Sequence, residues 1–127
     1  MTCGMDMLEI SRMEKSLQSA HFISRVFGER ERQLFEGHKN MAARAAANFC
    51  AKEAFSKALG TGIRGFALCE VEVLRDSLGK PYFVFSGNAA QLVEKSGLSF
   101  DVSLTHTMEY AGAMVIAFPT DFAPNSL

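Results

Sequence analysis

From residue 40 to residue 60 the chain keeps one side small. Ala47, Cys50, Ala51, Ala54 and Ala58 fall into one stripe at about 100° per residue, which predicts a long helix capped at Asn40 and stopped by Gly60. Small side chains let another backbone approach closely, so this helix is expected to be central and tightly packed. Glu53 and Lys57 lie on a different face, at i and i+4. Upstream, residues 2–8 read as a strand with Cys3, Met5 and Met7 on one face and Gly4, Asp6 and Leu8 on the other. Apolar spacing predicts three short helices over 9–18, 21–27 and 29–36, the last two closed by Gly28 and Gly37. Downstream, 69–75 and 81–85 read as a hairpin, 88–95 as a short helix, and 100–107 and 110–118 as two strands joined near Met108 and Glu109. Val71 and Val73 alternate with Glu70, Glu72 and, less tidily, Leu74, the pattern of a strand. Helices early and strands late predict an α+β fold: an antiparallel sheet, a long central helix and several short ones.

Composition narrows the class. A chain of 127 residues is expected to form one domain with a real core, its last residues from about 119 onward fraying around Pro119 and Pro124. Thirteen basic against fourteen acidic residues argue against a general nucleic-acid binder. No apolar run approaches the roughly 20 residues of a membrane span, and no secretory leader is read at the N-terminus. Cys3, Cys50 and Cys69 show no CxxC spacing, so neither a disulfide framework nor a zinc site is expected, and a cytoplasmic location is.

Each chemically interesting position has an ordinary reading beside it. Asp6 is either a cap or an edge charge, unless it serves a site. Glu53 and Lys57 are an everyday surface ion pair, unless the Ala-rich helix buries them and a partner or metal is needed. Gly60-Thr61-Gly62 is a helix stop that also has the composition to cradle a phosphate, although it follows the helix rather than preceding it as a P-loop does. Gly79-Lys80-Pro81-Tyr82 enters a strand, and Lys80 has the reach to meet an anion. In Ser103-Leu104-Thr105-His106-Thr107 the hydroxyls share one strand face and His106 takes the other. His21 and His38 have no supporting neighbours in sequence and are assigned nothing.

In chain order, Gly4-Met5-Asp6 with Glu9 and Arg12, Phe22-Ile23-Ser24-Arg25-Val26-Phe27, the run from Ala51-Lys52-Glu53 to Gly62, Gly79-Lys80-Pro81-Tyr82, and Ser103 to Thr107 resemble the holo-[acyl carrier protein] synthases. These are small 4′-phosphopantetheinyl transferases of bacterial fatty-acid synthesis. The resemblance implies Mg²⁺-dependent transfer of the phosphopantetheine arm of coenzyme A to a serine of apo-acyl carrier protein, with release of adenosine 3′,5′-bisphosphate. It makes Asp6 and Glu53 the metal carboxylates, which suits Mg²⁺, an ion that takes one or two carboxylates and leaves other positions to phosphate and water. Lys57 would offset charge on the departing bisphosphate. Gly60, Thr61, Gly62, Lys80, Pro81, Thr105, His106 and position 48 would form the coenzyme A site. The serine proton would go to Glu53, directly or through a metal-bound water, or to Asp6.

The resemblance further implies a homotrimer with sites between copies, and an acidic carrier protein docked on the first helix through Arg12, with Met13 and Arg25 as weaker contacts. Two departures stand out. Thr2 replaces a usual glycine, and Asn48 replaces an arginine that many members carry. A catalytically weak relative that only binds acyl carrier protein is the alternative, and a structural trimer with decorative charges is a third reading; the first would not need the metal pair, and the second does not explain the three segments together.

Overall fold

A helix faced with alanine brings strands against its own backbone. In the computed structural model, which describes residues 1–122, helix α4 (Met41–Leu59) lies on a three-stranded antiparallel sheet of order β1-β5-β4. Its strands are β1 (Thr2–Glu9), β4 (Leu98–His106) and β5 (Tyr110–Pro119). Ala47, Cys50, Ala51, Ala54 and Ala58 are all buried, as the stripe predicts. The approach is closest at Gly4, where a Cβ would sit 2.1 Å from the Ala54 carbonyl oxygen. Glycine is therefore needed there for space, not for its backbone angles. Thr2, two residues earlier on the same strand, donates its hydroxyl to the Ala58 carbonyl at 2.6 Å, tying β1 to the end of α4.

The helix stops where Gly60 turns to φ 90°, its N–H returning to the Ser56 and Lys57 carbonyls. At the other end Asn40 occupies the cap position but makes no side-chain cap bond; its N–H donates instead to His38 Nδ1 at 3.0 Å. The short helices α1 (Ile10–Ser16), α2 (Ala20–Val26) and α3 (Glu29–Phe35) pack Ile10, Met13, Val26, Phe27 and Phe35 with Ala45 and Ala46 of α4. A second core gathers around Phe55, which meets the rings of Phe66, Phe83, Phe85 and Phe100 at centroid distances of 4.9–5.7 Å. Burying such a side chain contributes about 1.5–3 kcal/mol.

Strands β2 (Val71–Arg75) and β3 (Pro81–Phe85) form a separate hairpin, and α5 (Gly87–Ser96) follows it. Asp76 closes the hairpin turn by accepting from the N–H groups of Leu78 and Lys80. Both faces of β2 are covered. Glu72 is buried and accepts from the Arg30 and Glu31 N–H groups and from the Arg30 side chain, so its charge meets the first turn of α3. Alternation marks a polar residue, but not whether another element covers it. Residues 119–122 are held in place: Thr120 N–H bonds to the Gly97 carbonyl and Phe122 meets Phe118 edge-on. The remainder of the expected frayed tail, 123–127, lies outside the described residues. No helix of the described residues is long and apolar enough to cross a membrane.

Candidate active site

Register places the expected carboxylates together. Asp6 is opposite Ala113 on β5, on the sheet face that meets α4, and Glu53 projects from α4 toward it. Burial, and next the charge of Asp6, push the Glu53 carboxyl up, while Lys57 pulls it down. Lys57 makes no ion pair with Glu53 among the described residues. It donates to the Met5 carbonyl at 2.7 Å and stands 3.6 Å from Asp6 Oδ1. Cys50 lies beneath the pair; burial first, then the Asp6 charge, push its thiol up to about 12, so it keeps its proton at neutral pH. No third His, Cys, Asp or Glu joins the pair in a metal-ligand cluster among the described residues. Two neighbouring, partly shielded carboxylates favour a cation between them, and two carboxylates with open positions form the donor set of Mg²⁺ rather than of zinc.

The other expected residues gather elsewhere. A groove of about 640 Å³ runs between α4 and β4, with Lys80, Pro81, Thr105 and His106 on its wall. Asp6, Glu53 and Lys57 are not on that wall. Pairing explains the separation: Asp6 and Leu104 share a row across β5, and His106 is two residues further along. Two strand spacings and that offset put Asp6 and His106 on the order of 12 Å apart. Thr105 pairs across to Gly112 and lies in a row with Met7, on the sheet's other face.

Several expectations need correction. Asn48 is fully buried and cannot touch a ligand: its amide donates to Glu31 Oε2 at 2.9 Å and to the Val73 carbonyl at 3.0 Å, and its Oδ1 accepts from Arg75 at 3.1 Å. Met13 is 1% exposed and belongs to the core, so it offers nothing to a docking protein, whereas Arg12 and Arg25 are exposed. In the Gly60–Gly62 loop, the N–H groups of Gly60 and Gly62 are spent on Ser56 and Lys57 carbonyls, so those two donors do not serve a phosphate. Lys80 is paired with Asp101 at 2.9 Å, and that bond holds the Asp101 carboxyl below its usual range.

Sequence reasoning missed Arg44, Arg75 and His38, which also line the groove. Arg44 precedes Asn48 by one helical turn, a spacing visible in the sequence. Arg75 reaches the groove only because of where the hairpin docks, which no local pattern announces.

The chain belongs to the 4′-phosphopantetheinyl transferase superfamily, whose family model matches residues 2–115. It is 39% identical over 116 residues to a holo-[acyl-carrier-protein] synthase of Caldanaerobacter subterraneus, covering 90% of this chain and 91% of that protein. The fold matches the holo-(acyl-carrier-protein) synthase of Bacillus anthracis in complex with CoA (3′,5′-ADP), at TM-score 0.79 and 33% identity over 93% of this chain and 96% of that one. The corresponding synthase of Neisseria meningitidis matches at TM-score 0.86 and 29% identity, covering 92% and 97%. The α+β fold is thus that of these synthases, and the protein is an enzyme of phosphopantetheinyl transfer.

Proposed function

We propose that this chain moves the 4′-phosphopantetheine arm of coenzyme A onto a serine of apo-acyl carrier protein, with Mg²⁺, in fatty-acid synthesis in the cytoplasm. The observation that carries the reading is the Asp6–Glu53 pair, which β1 and α4 bring together beside Lys57. Asp6 and Glu53 would hold the metal, which when bound neutralises charge on the pyrophosphate oxygens. The serine oxygen attacks the phosphorus on the pantetheine side of the pyrophosphate. The bridging P–O bond breaks, and adenosine 3′,5′-bisphosphate leaves with its electron pair. Glu53 takes the serine proton, and Lys57 offsets charge on the departing group.

The reading includes a homotrimer with sites between copies. Two facts support it. The outer face of the β1-β5-β4 sheet exposes Met5, Met7, Tyr110 and Met114, an apolar face suited to a second copy. The carboxylate pair and the basic groove also do not share a wall within one chain. Exposed Arg12 and Arg25 suit an acidic carrier protein.

The test is a mass measurement. Apo-acyl carrier protein incubated with this protein, coenzyme A and Mg²⁺ should gain one phosphopantetheine arm, and EDTA should prevent the gain. A folded sample that adds nothing overturns the function. Glu53→Gln should abolish the gain, and ordinary turnover by that variant would remove Glu53 from the proton transfer.

A further inference from the structure

The groove carries charge that the chain leaves unbalanced. Of its cations, Lys80 is neutralised by Asp101. Arg44 and Arg75 have no carboxylate within 4.0 Å among the described residues. Arg75 is half-buried, and its guanidinium charge is disfavoured first by burial and then by the charge of Arg44, with the more distant Glu31 carboxylate pulling the other way. Two like charges, one of them partly withdrawn from water, are a costly arrangement unless an anion completes it.

The arrangement is also fixed in advance. Arg75 Nη2 donates to Asn48 Oδ1 at 3.1 Å, and Asn48 is itself held by Glu31 and the Val73 carbonyl. Nη1 makes a longer contact of 3.4 Å with the Leu74 carbonyl. A guanidinium oriented this way still has N–H groups to offer, in the planar fork that suits a phosphate.

We propose that Arg75, oriented by Asn48 and assisted by Arg44, is the residue that binds the ribose 3′-phosphate of coenzyme A. The inference rests on the functional reading above. Coenzyme A carries only a pyrophosphate and a 3′-phosphate, and the carboxylate pair with its cation takes the first. The remaining phosphate, a separate dianion, needs an uncompensated cationic site away from that pair, and this groove is such a site. Asn48 is on this account a positioning residue that touches no ligand.

The test compares coenzyme A with its 3′-dephospho form, alongside direct binding of two nucleotides. In wild type, kcat/KM should favour coenzyme A. Arg75→Gln keeps an amide donor for Asn48 but removes the charge, and should shrink that preference by roughly ten- to a hundredfold, the loss typical of a charge-assisted bond, chiefly through KM. Arg75→Lys should restore part of it. Calorimetry should show wild type binding adenosine 3′,5′-bisphosphate more tightly than AMP, with the difference lost in Arg75→Gln. Circular dichroism establishes that each variant is folded; should Arg75→Gln fail to fold, Arg44→Gln, which removes the assisting charge, must shrink the same difference. A discrimination unchanged in a folded Arg75→Gln, or equal losses on both substrates, overturns the proposal. Absence of transfer by wild type, with the nucleotide preference intact, would instead overturn the functional reading and leave the phosphate site standing.

Discussion

Lys52 is wholly enclosed, and replacing it with methionine isolates a charge that the fold depends on. Its ammonium donates to Glu31 Oε1 at 2.6 Å and to the Leu68 and Val71 carbonyls. Neither side chain of the Lys52–Glu31 pair is exposed at all. Burial alone pushes Glu31 up and Lys52 down, and each partner opposes the other's shift. The bonding favours the charged pair, because Glu31 also accepts from Gly28 N–H, Asn48 and Val73 N–H. Lys52→Met fills the space yet leaves Glu31 without its counter-charge and two carbonyls without a donor. Breaking a buried pair in this way costs about 3–5 kcal/mol, a large share of the 5–15 kcal/mol typical of a domain. In urea unfolding followed by circular dichroism, the midpoint should fall by roughly 2 M at an ordinary slope. The double variant Lys52→Met with Glu31→Gln should lose less than the two single losses added together, by about 1–3 kcal/mol. A Lys52→Met loss below about 1 kcal/mol, or strict additivity in the double variant, would refute the claim that both groups are charged and mutually dependent.

Two further outcomes follow from contacts already described. In Gly4→Ala the new methyl would meet the Ala54 carbonyl at 2.1 Å and Lys57 Cβ at 2.9 Å, so β1 must move. Overpacking of this kind costs about 1–3 kcal/mol, and a displacement near 1 Å at the carboxylate pair should lower turnover on the order of a hundredfold; a thermal midpoint and turnover like those of wild type would contradict the close approach. Asp101 is held below its unfolded value by Lys80, so their pairing adds stability above an unfolded pKa of about 3.9 and loses it as pH falls through the lower folded value. Both side chains are more than half exposed, so Asp101→Asn should reduce the stability lost between neutral and acid pH by only a few tenths of a kcal/mol after solvent screening, and urea midpoints for both proteins across that range measure it.

The sequence was most readable where one element's pattern decides the outcome. The alanine stripe, Gly60 and the faces of β1 all follow from period and sterics alone. Reading faltered where a second element decides. Met13 reads as a weaker docking contact beside Arg12, yet it belongs to the core with Phe27. Asn48 reads as a neutral substitute in a ligand site, but α3 and β2 close over it and make it a hub between Glu31 and Arg75. Glu72 is one position of an alternating strand in sequence, and only the placement of α3 above it shows why it is buried. Arg75 is an ordinary strand-end arginine until the hairpin docks. These are all consequences of pairing between distant segments, which no local window contains.

The contact between Gly4 and Ala54 also bears on how this protein can change over time. Asp6 is two residues from Gly4, and Glu53 directly precedes Ala54. The span between the two carboxylates is therefore set by main chain against main chain, with no intervening side chain whose size can drift. A change of ring in the core around Phe55 alters side-chain packing there and leaves this main-chain contact as it is. The spacing on which the chemistry depends is inherited separately, through a single missing methyl group.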